Sequence, residues 1–170
     1  MYSIDEKDSV IELTDVPRSD TGAPRPTVLA SEEFVLLAYY LQEAPTYPTV
    51  STPEVLGLHS QGEASALVKF SAPMAHMFGP PGDETFHGHP LYERGLQFYS
   101  VSEVLHSSWV RALERINSVH RQHNPARYRK CRHFIFAFHD SVFECVAEDF
   151  GFSTHRRSVM EVLRAAVPNT

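Results

Sequence analysis

Two stretches of the chain hold side chains whose types and spacing could do chemistry. The first, FGPPGDETFHGHPLYERGL at residues 78–96, sets Asp83, Glu84, His87 and His89 among four glycines. Two imidazoles separated by one residue on an extended backbone can turn toward the same side, and Asp83, Glu84 or the preceding His76 can complete a ligand set. A catalytic zinc needs three such ligands plus water. His-x-His is nevertheless common by chance in a chain with 10 histidines, and no His-Glu-x-x-His or paired Cys/His spacing accompanies it. No cofactor is therefore expected. If a metal binds, its expected ligands are His87, His89 and Asp83; otherwise these imidazoles hydrogen-bond to backbone and fix the loop.

The second stretch is His139-Asp140-Ser141, followed by Glu144. Adjacent residues cannot easily build a Ser-His-Asp triad, because serine and carboxylate must occupy opposite nitrogens of the imidazole. There is also no Gly-x-Ser-x-Gly elbow to expose a nucleophile. Asp140 and Ser141 read first as turn formers that bond to local backbone. A His139–Glu144 pair carries more chemistry, since a carboxylate fixes an imidazole tautomer and raises its basicity, which makes a general base. The same pair also reads as an ordinary cross-strand contact, worth about a few tenths of a kcal/mol.

Several other chemistries lack their signatures. Neither the phosphate-cradling Gly-x-x-x-x-Gly-Lys-Ser/Thr loop nor Gly-x-Gly-x-x-Gly occurs. Cys131 and Cys145 are too few for a disulfide framework and form no Cys-x-x-Cys. The net charge of −6 is unevenly spread: residues 121–132 carry five basic side chains and no acid, whereas residues 1–15 carry five acids and one lysine. A basic block can contact nucleic acid, but in an acidic chain without a nucleic-acid fold signature it reads as a solvated loop after a helix, and a nucleic-acid partner is not expected.

Hydrophobic content of 42% and aromatic content of 11% describe a globular chain, and the longest apolar run, FVLLAYYL at 34–41, is far short of the roughly twenty residues that cross a bilayer. The acidic first residues lack an apolar h-region, so the expected location is cytoplasmic. Residues 1–30 show no sustained period and end in VPRSDTGAPRPTV; they read as a flexible or loosely docked arm before a single domain over 31–170.

The elements that must position the candidate residues follow from period and punctuation. Residues 34–42 fit a buried strand by length and by Pro45 and Pro48 beyond it, although periodicity alone does not separate strand from helix. Residues 49–63 read as a loop. A strand at 65–71 sets Leu67 and the Lys69 stem on one face and Ala66, Val68 and Phe70 on the other. Residues 96–105 alternate as a third strand. Trp109, Leu113 and Ile116 recur at helical spacing after a Ser107 or Ser108 cap, predicting a helix that lays all three on a sheet. In HFIFAFHDSVFECVAEDF, a turn at Asp140-Ser141 would pair Phe138 with Phe143, Phe136 with Cys145 and Phe134 with Ala147 on one apolar face, leaving His133, Ile135, His139, Glu144 and Val146 on a mixed face. Residues 154–167 carry an apolar stripe of Val159, Val162, Leu163 and Ala166, a helix capped by Ser153 or Thr154.

The pieces HMFGPPGDE, GHPLYERGL, SEVLHSSWVRALERIN and RHFIFAFHDSVFECVA, from residue 66 to about 147, resemble a family of uncharacterised bacterial proteins. The resemblance implies no activity and carries over no catalytic role; it implies that loop and hairpin belong to one unit.

The fold expected is α+β: a mainly antiparallel sheet of about five strands with two helices packed on one face. The function expected is binding of a small polar molecule, with acid–base conversion as its extension, where the 76–95 loop meets the tip of the 133–148 hairpin. His139, Glu144 and Asp140 form the catalytic set, and Asp83, Glu84, His87, His89 and His76 the binding set. The alternative is a non-catalytic interaction or regulatory protein, in which the mixed hairpin face joins copies into a homo-oligomer and the basic segment contacts an acidic partner.

Overall fold

A computed structural model describes residues 2–43 and 56–167. Among these residues nine strands run in the order β1 (Ser9–Glu12), β2 (Thr27–Ala30), β3 (Val35–Tyr40), β4 (Ala64–Ser71), β5 (Ala75–Gly79), β6 (Val101–Leu105), β7 (Arg132–Ala137), β8 (Val142–Ala147) and β9 (Asp149–Arg156). Helices α1 (Ser108–Asn117) and α2 (Pro125–Tyr128) lie between β6 and β7, and α3 (Val159–Ala166) follows β9. The α+β class is as expected, but the strands form two antiparallel sheets, ordered β1-β6-β7-β8-β5 and β2-β3-β4-β9.

The reason for two sheets lies in the two-residue period of the strands. Phe134, Phe136 and Phe138 on one side of β7, with Phe143, Cys145 and Ala147 of β8, face Val35, Leu37 and Tyr39 of β3 and Ala66, Val68 and Phe70 of β4. Each apolar face covers the other. These strands also bury their second faces: Leu36, Ala38, Tyr40 and Leu67 pack beneath α3, while Ile135, Ala137, Val142 and Val104 pack beneath Phe86, Leu91 and Leu96 of the 80–96 segment. Sequence reading of 65–71 therefore holds residue by residue. The helices, by contrast, do not share a face. α3 lies on β3 and β4, and α1 lies against β7 on the outside of the other sheet.

Other expectations shift for identifiable reasons. Residues 1–30, expected as an arm, supply one strand to each sheet: β1 pairs with β6 and β2 with β3. Four-residue edge strands with half-exposed side chains are too short to show a period. In the hairpin Phe136 pairs with Phe143 and Phe134 with Cys145, while Phe138 N–H donates to the Ser141 carbonyl at 2.8 Å. The turn is thus His139-Asp140, and the register differs from the expected one by two residues. A slip of two keeps every side chain on its face, which is why the core assignment survives.

Residues 96–100 form a turn rather than the start of β6, with Leu96 fully buried. Ser107 caps α1 by accepting from Val110 N–H, as its hydroxyl suits it to do. Trp109 is buried, but Ile116 is 72% exposed and does not reach the sheet. The last helix begins at Val159 behind a Ser158–Glu161 capping box, because residues 149–156 pair with β4 as β9. Pro45, Pro48 and residues 49–55 of the expected loop lie outside the described residues. Among the described residues, no helix is long and apolar enough to cross a membrane.

Candidate functional site

The 80–96 segment lies across the outer face of the β7–β8 hairpin and is fastened at two points. At its start, Gly82 passes so close to the turn that a Cβ there would lie 3.0 Å from the His139 carbonyl oxygen and 3.1 Å from Asp140 Cα. Only a glycine permits this approach without displacement, and it lets Asp83 N–H donate to that same carbonyl at 2.8 Å.

The Asp83 side chain then meets His139. Its Oδ2 lies 2.9 Å from Nδ1 of the imidazole and accepts from the Tyr99 hydroxyl at 2.6 Å, and the hydroxyl oxygen is 3.0 Å from the same Nδ1. With the phenol proton given to Asp83, Nδ1 must carry the imidazole proton, so that the unprotonated nitrogen of neutral His139 is Nε2. Among the described residues, the charged group near that nitrogen is Asp140 Oδ1, at 3.8 Å. The Tyr99 hydrogen bond leads the interactions that hold the Asp83 carboxyl below its usual range, and burial with the Asp83 contact pushes the phenol up to about 12. Tyr99 reaches this position from a left-handed backbone, φ 53°, a conformation that costs a side-chain-bearing residue about 1–3 kcal/mol and concentrates at functional positions.

His139, Asp140 and Ser141 form one wall of a cleft of about 590 Å³ that also takes in Phe78, Leu58 and Arg25. Arg25 has a left-handed backbone, φ 46°, and its Nε donates to the Leu56 carbonyl at 2.7 Å. Among the described residues its terminal nitrogens have no side-chain partner.

The second fastening is buried. Glu144 Oε2 accepts from the Tyr2 hydroxyl at 2.6 Å and faces His133 Nε2 at 2.8 Å; Oε1 lies 3.3 Å from His89 Nε2. Leu91 N–H donates to Nδ1 of His89, which fixes Nε2 as the protonated, donating nitrogen. His133 Nδ1 is 2.9 Å from the Ser107 hydroxyl at the start of α1. The Tyr2 ring stacks on Trp109 with centroids 5.2 Å apart and meets the His133 ring edge-on. Burial alone would raise the Glu144 pKa, yet the hydrogen bonds from His133, His89 and Tyr2 outweigh it and hold the carboxyl down at about 2. Both oxygens are fully occupied. The cluster is a closed polar network inside the fold, and opening it would strand a buried charge.

The sequence-predicted residues thus divide. Asp83, His139 and Asp140 come together at the cleft. Glu144 does not join them: it belongs to His133 and His89, and Asp83 takes the place expected for it beside His139. The two-residue register shift is the cause, because it moves Glu144 from opposite Ala137 to opposite Ile135, whose neighbour on that face is His133. His87 and Glu84 point to solvent while His89 is 4% exposed, so the His-x-His pair is split between surface and core. His76 is exposed on β5, its ring stacked near Phe143. Among the described residues, no group of three His, Cys, Asp or Glu side chains has a metal-holding geometry.

Sequence reasoning missed Tyr99, Arg25, Tyr2 and His133. Only His133 left a signal, its place beside Glu144 on the mixed hairpin face. That face is covered, with Ile135, His133 and Val146 all 0% exposed, and so it does not serve to join copies of the chain. Compared with known proteins, the chain matches no family model, no curated protein and no solved structure.

Proposed function

We propose that the protein binds a small polar molecule in the cleft at the β7–β8 turn, with His139 as the acid–base group and Asp83 and Tyr99 as its positioning residues. The observation that carries this reading is the arrangement around one imidazole: carboxylate and phenol on Nδ1, and Nε2 left as a lone pair beside a cleft of about 590 Å³. A volume of that order suits a metabolite-sized ligand. Arg25, held by its Nε, offers its outer nitrogens to a carboxylate or phosphate on such a ligand, and Phe78 and Leu58 give the cleft apolar surface. A proton on an atom placed within hydrogen-bond reach of Nε2 would pass to His139, and Asp83 would stabilise the imidazolium so formed.

The test is a ligand-observed NMR screen of small organic acids and phosphates against the wild type, repeated on His139→Ala and Arg25→Ala. Binding that weakens at least tenfold in both variants, with the melting temperature unchanged, supports the reading. Ligands that bind equally well to all three proteins sink it.

A second reading rests on the end of α1 and α2, where Ile116 and Val119 are 72% and 89% exposed beside the exposed Arg121, Arg127, Arg129 and Lys130. In a non-catalytic interaction protein this surface would receive an acidic partner, and Arg127→Glu with Arg129→Glu would abolish that contact while leaving the cleft ligands bound.

A further inference from the structure

We infer that the protein forms a two-fold dimer by antiparallel pairing of β9 with β9 of a second copy, joining the two four-stranded sheets into one of eight. Each sheet ends in two edge strands, and three of the four are short: β1 and β2 have four residues and β5 has five. Short edges are one of the devices that keep sheets from pairing with other chains. β9 departs from that pattern. It has eight residues, DFGFSTHR, pairs along its whole length with β4, and among the described residues has no strand on its other side. It contains no proline and no lysine, and six of its eight residues are exposed, including Phe152 at 41%.

Charge complementarity selects a second copy as the occupant. The acidic residues Glu148 and Asp149 stand at the start of the strand, and His155, Arg156 and Arg157 at its end. Antiparallel self-pairing sets the acidic end of each copy beside the basic end of the other, whereas parallel pairing would oppose like charges. The register is also constrained. Backbone groups that face outward alternate along a strand, so a strand paired with itself about a two-fold must match odd residues with odd and even with even. With Phe152 on the axis the two Phe152 rings face each other, Asp149 lies opposite His155 of the second copy, and Gly151 lies opposite Ser153. Phe150, on the same face as Phe152, already packs into the space between the sheets, so the paired Phe152 rings would extend that apolar layer across the axis.

Light scattering coupled to size exclusion tests this directly. The wild type is expected at twice the mass of the chain, and Phe152→Lys, which opposes two ammonium groups on the axis, is expected at half the wild-type value with unchanged circular dichroism. In a Cys131→Ser background, Phe152→Cys is expected to form a disulfide-linked dimer on mild oxidation and Ile116→Cys, on the exposed face of α1, is not. A wild-type monomer at every concentration, a dimer that Phe152→Lys leaves intact, or equal cross-linking from positions 152 and 116 overturns the inference and leaves the β9 edge to an extended segment of another protein.

Discussion

Asp83 and His139 stand 2.9 Å apart, Oδ2 to Nδ1, at the point where the 80–96 segment crosses the tip of the β7–β8 hairpin. This contact decides which nitrogen of His139 carries the proton, and it depends on Gly82 lying against the turn backbone. Two measurable consequences follow from this contact, and two more from the buried cluster around Glu144.

Replacing Asp83 by Asn should change the tautomer of His139. In the wild type near pH 8 the imidazole is expected with Nδ1 protonated and Nε2 free, and long-range nitrogen–proton spectra distinguish the two nitrogens. Asp83→Asn removes the negative charge that favours the proton on Nδ1, and a mixture of tautomers should appear. An unchanged spectrum would mean that Tyr99 alone sets the proton.

Gly82→Ala should loosen the same contact from the backbone side. The added methyl would sit about 3 Å from the carbonyl oxygen and Cα atoms of the turn, and relief of that crowding should cost about 1–3 kcal/mol. Denaturant unfolding reads the cost, and the Asp83 amide should lose hydrogen-exchange protection as its bond to the His139 carbonyl breaks.

Glu144 should govern the acid limb of stability. Its carboxyl titrates near 4.5 when unfolded and at about 2 in the fold, so the folded state holds fewer protons in that range. The stability it contributes is complete above about pH 4.5 and is lost as the pH falls toward 2. Glu144→Gln should therefore be less stable at pH 7 and show a flatter decline between pH 4.5 and 2. Parallel acid limbs for the two proteins would contradict this.

Tyr2→Phe isolates the phenol's part in the buried cluster. The ring keeps its place on Trp109 while Glu144 loses one donor, and a hydrogen bond to a buried charged group is worth about 1.5–3 kcal/mol. For comparison, Phe136→Ala, at the centre of the layer between the sheets, should cost about 3–5 kcal/mol, and Ile116→Ala should change stability by less than about 0.5 kcal/mol. Equal losses from Phe136→Ala and Ile116→Ala would contradict the placement of the core between the two sheets.

Patterns that repeat within a few residues can be read from the chain alone. The alternation FIFAF against VFECV put the phenylalanines on one face whatever the turn, since a two-residue slip leaves faces unchanged. The apolar stripe of α3 and a serine cap of α1 at Ser107 or Ser108 were legible for the same reason, and Pro80, Pro81, Gly79 and Gly82 marked where the chain would turn. The second face of β7 and β8 was not legible as core, because His133 and Glu144 on it read as solvent-facing, and only each other's company lets them be buried.

Which partners these residues meet depends on how elements distant in the chain pack against one another. A turn placed one residue earlier, which shifts the pairing by two, gave Glu144 to His133 instead of His139. Short strands in residues 1–30 gained order only by pairing with β6 and β3, and Tyr2 found Glu144 through that docking. Tyr99 entered the His139 site from a left-handed turn that no local pattern announces. Long-range hydrogen bonds depend on geometry accumulated across several elements, and the identity of a single side chain does not encode that sum.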